Sequence, residues 1–336
     1  MNRPTIRDIA RESGVSTTAV SFALNDRPGV SPETRKRILS TAKRIGWVPN
    51  ARAQSLSLGS ADAVGLYIAR KPDSYNSERF FFNFIIGLEQ ALTAKKYDLV
   101  FHTGPDSEAE LSTYRNWYAQ GRVDGVVLVD PRVGDPRLAE LDKLGLPAVV
   151  VGNEMEGTAC VVGDESAMIN TLAAHLVERG ARSIGYVSGM RSLLHTQERI
   201  AALEEFGEAH GIDVVVVAGE DATEESGREA IEGLAEGSAI PDGLIFDNEV
   251  LAVGGLNALR AAGRNIGRDV LICSCEDSPL CRIVRPSITV TNREPAEIGR
   301  QAATLLLEVI RGEAPRSLTQ EAPSIIIRDS TEGIVS

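Results

Sequence analysis

The spacing of apolar residues changes character about sixty residues into the chain. Ahead of that point they recur every three or four positions, as amphipathic helices require. Beyond it, runs of Val, Ile and Leu of strand length alternate with longer helical stretches. Three short helices are legible in the first part. Thr5 precedes the first, with Asp8 three residues on, a capping box with Asp in place of Glu. Ile6, Ile9 and Ala10 share one face of it, and Gly14 stops it. Ser16 is the N-cap expected for a second helix, Thr17 to Leu24, with Ala19, Val20, Ala23 and Leu24 inward. Ser31 caps a third, with Pro32 at its first position, running to about Ile45 before Gly46.

In the second part the strand candidates are AVGLYIA (63–69), YDLVFHT (97–103), DGVVLVD (124–130), PAVVVG (147–152), SIGYVSG (183–189), DVVVVAG (213–219), DGLIFDN (242–248) and VLICSC (270–275). Helical segments fall between them, among them Phe80–Lys95, Glu165–Arg179, Arg199–His210 and Leu251–Ala262. Regular alternation of this kind implies parallel sheets covered by helices on both faces. Ligands of such sheets bind beyond the carboxyl ends of the strands. About 280 residues are too many for one sheet, so two sheets with a cleft between them are expected.

Helix, glycine-containing turn and helix at the spacing of the first part is a helix-turn-helix pattern. The second helix is then the recognition helix, and Thr17, Thr18 and Ser21 are short donors and acceptors able to reach base edges or phosphates. Phe22 lies near the same surface with no obvious core partner. On packing grounds alone, Thr17 and Thr18 serve equally as ordinary first-turn residues and Phe22 as a core side chain. The segment GWVPNARAQSLSLGS follows, and its one short helix candidate, Ala51 to Leu58, is too brief to hold in water unaided.

Charge sharpens the division. The chain carries 35 Lys or Arg and 47 Asp or Glu, for a net charge of −12. Residues 1–60 hold ten of those bases and four of those acids, so a head near +6 sits on a body near −18. A basic head on an acidic body points to a polyanionic partner for the head alone, against the alternative of a chance cluster of solvated charge. The remaining composition, 43% hydrophobic and 24% charged, is that of an ordinary globular protein. No apolar run is long enough for a membrane span, the opening MNRPTIRDIARES lacks the apolar core of a secretion signal, and four cysteines make no disulfide framework. A cytoplasmic location with no membrane partner is expected.

The stretch TIRDIARESGVSTTAVSFALNDRPGVSPETRKRILSTAKRIGWVPNARAQSLSLG, Thr5 to Gly59, resembles the LacI/GalR family of ligand-responsive transcription regulators without a gap. The resemblance implies a helix-turn-helix DNA-binding domain over 1–49, a hinge helix or linker over 50–60 and an effector-binding and dimerisation domain over 61–336. It implies that Thr17, Thr18 and Ser21 face the major groove, that Ser16, Asn25, Ser31, Thr34, Trp47 and Asn50 help position the phosphate backbone, and that Thr5 also contacts DNA. Ala53 and Leu56 would lie on the hinge helix, with Leu56 wedged into a minor-groove step, a kink that widens the contact. Phe22 stands where many relatives place a polar reader; it can touch a thymine methyl but cannot hydrogen-bond a base edge.

The resemblance continues more loosely to about Asp329. It implies two doubly wound parallel-sheet subdomains of periplasmic-binding-protein type, the first about 61–161 plus 292–320 and the second about 162–291 plus 321–330. ERFFFNFIIGLE matches the family's entry to the first body helix and places Phe80 and Phe81 beside the effector, the alternative being an aromatic pair packed in the core. QERIAALEEF matches an R-x-x-G-aromatic motif with Arg199 as the ligand-reading arginine, although Ala202 and Leu203 replace its last two positions. In FDNEVLAVGGLNAL, Asn248 would be near the ligand and Glu249 replaces a usual Asp. CSCEDS puts Glu276 at the place of the effector-binding acid, and Ala222 stands where several relatives carry a stacking aromatic. A carboxylate and a guanidinium in one cleft suit a polyhydroxyl ligand, a sugar or sugar derivative; the competing reading of Arg199 and Glu276 is a structural salt bridge.

Cys273, Cys275 and Cys281 form a C-x-C-x5-C pattern unlike the C-x2-C pairs of common zinc sites, so neither metal nor cofactor is expected. An enzyme on the same body is the rival class, but no phosphate-binding G-x4-G-K-S/T, G-x-S-x-G or H-E-x2-H motif occurs. The expected protein is therefore a transcriptional regulator, a repressor, binding a near-palindromic operator as a homodimer under control of a small-molecule effector. A dimer is expected over a tetramer because TEGIVS follows the last strand without heptads.

Overall fold

The computed structural model describes residues 4–47, 60–70, 79–219, 221–237 and 239–332. They divide into two compact units, Met1–Ala61 and Asp62–Ser336. The hinge expectation, with Asn50, Ala53 and Leu56, lies outside the described residues.

The first unit holds α1 (Ile6–Ser13), α2 (Thr17–Leu24) and α3 (Pro32–Arg44). Each begins where the sequence places a cap. The Thr5–Asp8 capping box is complete, with the Thr5 N–H donating to the Asp8 carboxylate at 2.9 Å. Ser16 accepts from the Ala19 N–H at 3.2 Å and Ser31 from the Thr34 N–H at 3.3 Å. Gly14 ends α1 at φ +67°, a left-handed conformation that costs glycine little. Ile9, Val20 and Ile38 are fully buried at the meeting of the three helices, with Trp47 packed against them. Ile6, expected inward, is 38% exposed, because a helix of eight residues against two others needs only one narrow apolar stripe. Arg35 fastens the α2–α3 loop to α3, donating to the carbonyls of Ala23 and Arg27 and to Asp26.

In the second unit the chain runs β1 (Ala63–Ala69), α4 (Arg79–Ala94), β2 (Asp98–Gly104), α5 (Ser107–Ala119), β3 (Gly125–Leu128), α6 (Pro136–Leu144), β4 (Ala148–Gly152) and β5 (Ala159–Val162). It continues α7 (Glu165–Glu178), β6 (Ser183–Met190), α8 (Leu194–His210), β7 (Asp213–Gly219), α9 (Glu224–Gly237), β8 (Gly243–Phe246), α10 (Glu249–Ala261), β9 (Leu271–Ser274), α11 (Pro279–Ile283) and β10 (Thr289–Asn292). α12 (Pro295–Ile310), β11 (Ser317–Thr319) and β12 (Ser324–Ile326) close it. One sheet has the order β11-β5-β4-β3-β1-β2 and the other β12-β10-β9-β8-β6-β7; only β12, against β10, is antiparallel. The chain therefore passes between the sheets three times, near residues 163–164, 293–294 and 320–323. The central strands are buried on both faces, which is why they read as unbroken apolar runs. The short β5, β10 and β11 are absent from the strand candidates, being three or four residues long and, in TVTN and SLT, half polar.

Each sheet is covered by a helix pair in which glycines face the opposite backbone. A Cβ on Gly87 of α4 would lie 1.9 Å from the Ala296 carbonyl oxygen of α12, and one on Gly254 of α10 would lie 1.9 Å from that of Glu224 of α9. Such an approach leaves no room for a methyl, so Gly254→Ala should lower the melting temperature of the body by roughly 5–10 °C. Gly233→Ala, on α9 with nothing within 4 Å, should leave it unchanged or slightly raised; both are read by thermal denaturation.

Candidate functional site

Two candidate sites emerge, one in each unit. In the head, Thr17 and Thr18 are exposed at the start of α2 and Ser21 is half-buried one turn on. The Ser16 and Ser31 hydroxyls are held as caps, and the Asn25 amide turns back to donate to the Ser21 carbonyl at 3.0 Å. Thr34 shares its hydroxyl with Ser31 at 2.9 Å, and Thr5 donates to Asp8 at 2.7 Å. Capped helix N-termini present N–H groups and the positive end of the helix dipole, the arrangement that receives phosphate. Phe22 does have a packing partner, which corrects the reading of its surroundings. Its half-buried ring rests on the turn after α2, where a Cβ on Gly29 would lie 3.3 Å away.

In the body, the carboxyl ends of the strands of both sheets border one cleft. Arg70 follows β1, Asp130 β3 and Gly163 β5, and Gly152 ends β4; Asp247 and Asn248 follow β8, Glu276 β9 and Arg293 β10. The cleft contains about 860 Å³ of space free of atoms, part of it open to solvent. Phe80, Phe81, Arg199, Asn248 and Glu276 all line it. Phe80 and Phe81 meet edge to face at 5.5 Å, with the Arg293 guanidinium 5.4 Å from the first ring and that of Arg70 4.9 Å from the second. They are thus half-buried against their own core and still face the cleft.

The charged groups form a chain of ion pairs that the sequence did not announce. Arg199, 2% exposed, donates to Glu165 at 2.7 Å and to Asp247 at 2.7 Å. Glu165 also receives Arg293 at 2.6 Å, and Arg293 reaches Glu276 at 2.7 Å. Arg70 holds Asp130 with two bonds, at 2.8 and 3.0 Å, and Asp130 sits at φ +51°, a strained value for a residue with a side chain. Tyr186 donates to Asp247. The guanidinium of Arg199 is therefore committed to carboxylates, and Asn248 is engaged as the N-cap of α10, accepting from the N–H groups of Val250 and Leu251 at 3.0 and 2.9 Å. Among residues the motifs did not single out, Arg70, Asp130, Glu165, His195, Asp247 and Arg293 line the cleft. Glu165 could have drawn notice only as a first-turn acid after a cap, which most helices carry.

Burial alone pushes the Glu165 carboxyl up, but Arg199 and Arg293 overcome it and hold it at about 2. Burial and the Arg199 charge push His195 down to about 4, so its imidazole is neutral. Glu249 behaves in the opposite way. It is 1% exposed and makes no ion pair among the described residues; burial and the nearby Glu276 push it up to about 7. One of its oxygens accepts from the backbone N–H of Arg79 at 3.1 Å, a hydrogen bond across the cleft from α4 to α10. The sheets are tied again at the rim, where the Leu194 N–H donates to the Pro131 carbonyl at 2.9 Å.

Paired sheets around a charged cleft, with a separate helix-turn-helix unit, define a DNA-binding regulator with a ligand-binding body. Residues 5–50 match the bacterial regulatory proteins of the lacI family, and residues 173–331 match the periplasmic binding protein-like domain. The chain joins a lacI-family DNA-binding domain to a periplasmic-binding-protein-like domain, the makeup of the LacI-family transcriptional regulators it resembles. It is 29% identical to the HTH-type transcriptional regulator CelR of Thermobifida fusca, covering 98% of each chain. It is also 29% identical to catabolite control protein A of Priestia megaterium, over 98% of this chain and 99% of that one. A CelR–cellobiose complex has the same fold, with a TM-score of 0.75 at 28% identity over 98% of this chain and 100% of that one. These relatives are regulators, not enzymes, and the chain is a DNA-binding regulator of that kind. Among the described residues no helix is long and apolar enough to cross a membrane. Cys273, Cys275 and Cys281 are buried, and no group of three or more metal-ligating side chains forms among the described residues.

A carboxyl whose pKa is higher folded than unfolded gives stability that is full below about 4.5 and is lost as pH rises through 7. Replacing it with a neutral amide removes that loss. Glu249→Gln should therefore match the parent near pH 5 and exceed it at pH 8, by on the order of 3 kcal/mol. Urea unfolding at the two pH values measures the difference; equal curves at pH 8 would show that no charge is being forced on the site.

Proposed function

We propose that this chain is a repressor that binds a near-palindromic operator as a homodimer and is released or engaged by a sugar or sugar derivative held in the cleft. The observation that carries the reading is the cleft itself: the aromatic rings of α4 and paired acids and bases from both sheets converge where doubly wound sheets take ligands. In this reading residues 1–49 bind DNA, 50–60 form the hinge, and 61–336 bind effector and partner. Thr17, Thr18, Ser21 and Phe22 read bases, Thr5, Ser16, Asn25, Ser31, Thr34, Trp47 and Asn50 hold the DNA backbone, and Ala53 and Leu56 act in the minor groove. Phe80, Phe81, Arg199, Asn248 and Glu276 surround the effector. Arg199 acts there mainly by holding Glu165 and Asp247 in place, since its donors are taken. The CelR–cellobiose complex supports a carbohydrate as the effector class.

An effector acts by binding one closure of the cleft more tightly than another. The Arg79–Glu249 and Leu194–Pro131 hydrogen bonds are contacts that an opening cleft loses. Dimerisation is supported by apolar side chains left outward on α4 and the edge strand β2: Phe82 at 55%, Ile86 at 38% and Phe101 at 43% exposed. A bare edge strand with such neighbours invites pairing.

Two outcomes test the reading. In mobility-shift titrations on DNA from the region upstream of its own gene and from enriched genomic sites, the protein should form a specific, salt-sensitive complex. Thr18→Ala should weaken it by about 1–2 kcal/mol. Sites retained equally by the variant would remove that residue from base reading. Light scattering after gel filtration should give a dimer, and Phe101→Lys should shift it toward monomer and weaken operator binding with it.

A further inference from the structure

Among the described residues, every guanidinium that lines the cleft already has carboxylate partners. Among the described residues the cleft is lined by three arginines, Arg70, Arg199 and Arg293, and by five acids, Asp130, Glu165, Asp247, Glu249 and Glu276. The ion pairs join Arg70 to Asp130, Arg199 to Glu165 and Asp247, and Arg293 to Glu165 and Glu276. An anionic ligand would meet guanidiniums already neutralised and an excess of like charge. Glu249 is the acid left over. It is buried, faces the cleft and makes no ion pair among the described residues; its neighbours Glu276 and Asp277, themselves paired with Arg293 and Arg328, still disfavour its charge. Its hydrogen bonds are from backbone N–H groups, those of Arg79 and of its own residue. A buried carboxylate without a cation is costly, and a ligand that brings one removes the cost while gaining a charge-assisted hydrogen bond. The rings of Phe80 and Phe81 add faces that accept both the C–H side of a sugar and a cation.

We infer that the effector carries a protonated amine, a polyhydroxylated amine of the hexosamine class, whose ammonium is received by Glu249 beside Glu276. This rests on the reading of the cleft as a carbohydrate site and names the charge that the carbohydrate bears. Neutral sugars lack the compensating group, and sugar acids and sugar phosphates are repelled.

The test uses the full chain and matched probes in the gluco, galacto and manno series: the 2-amino sugar, its parent hexose, its N-acetyl derivative and the 6-phosphate of the parent. Binding is measured by titration calorimetry and thermal shift. In at least one series the amine should bind roughly tenfold or more tighter than the parent and the N-acetyl sugar, with no binding of the phosphate. Glu249→Gln should erase that preference, and Glu249→Asp, which keeps the charge, should retain most of it. Ligand-free melting of both variants shows that they fold. A neutral or phosphorylated sugar that binds as tightly as the amine overturns the inference and leaves the carbohydrate reading standing. So does an amine preference that persists in Glu249→Gln, because the carboxylate is then not its source. If no compound in any series binds, the carbohydrate reading falls and the inference falls with it.

Discussion

Glu165 holds two guanidiniums at once, and much of the body depends on that arrangement. It stands at the first position of α7, just after the chain has left one sheet for the other. Arg293, one of its partners, lies on the second passage between the sheets. The other, Arg199, comes from α8 and binds Asp247 at the end of β8. One carboxylate thus ties two crossovers to the floor of the second sheet in a place where unpaired charge is not tolerated. Removing any one member leaves its partners buried without compensation, a cost of several kcal/mol in comparable networks. Arg199 is for this reason better understood as the pivot of the cleft than as a free hand for a ligand.

The same network explains why Glu249 differs. Among the described residues, pairing engages three arginines of the cleft with four of its five acids, and burial then acts on the fifth against backbone hydrogen bonds alone. The N-terminus of α10 favours the charge but does not outweigh burial and Glu276. A residue left in that condition, in contact with the backbone of the opposite subdomain, links the electrostatics of the cleft to its closure.

Much of the fold was legible. The caps Thr5, Ser16 and Ser31 stand where the sequence puts them because a cap is a local bargain between one side chain and the nearest orphan N–H groups. The central strand runs were legible because burial on both faces leaves no polar alternation to read, and the edge strands β2 and β7 because their β-branched and apolar runs are as long as those of the central strands. ACVV and TVTN were not, being short enough that only their neighbours in the sheet make them strands. Helix α8 begins at Leu194, five residues ahead of the expected Arg199, because its N-cap Leu193 offers no side-chain bond that could mark it. Ile6 and Phe22 were misplaced for a related reason: whether an apolar side chain of a small domain finds cover depends on which neighbour arrives, here the turn at Gly29.

For the site, the sequence determined which family motifs are present and therefore that Phe80, Phe81, Arg199, Asn248 and Glu276 belong near one cleft. It could not determine the state of their charges. Glu165 and Arg199 lie 34 residues apart, Arg293 and Glu165 128 apart, and Arg79 and Glu249 170 apart. Pairing among them is set by the crossing of two sheets, and each pair decides what charge is left for the next. The sequence by itself fixed local caps, periodicity and composition, whose physics acts within a few residues. Only the tertiary structure decided which carboxylate would be left without a cation, because compensation of buried charge is a property of the assembled cleft.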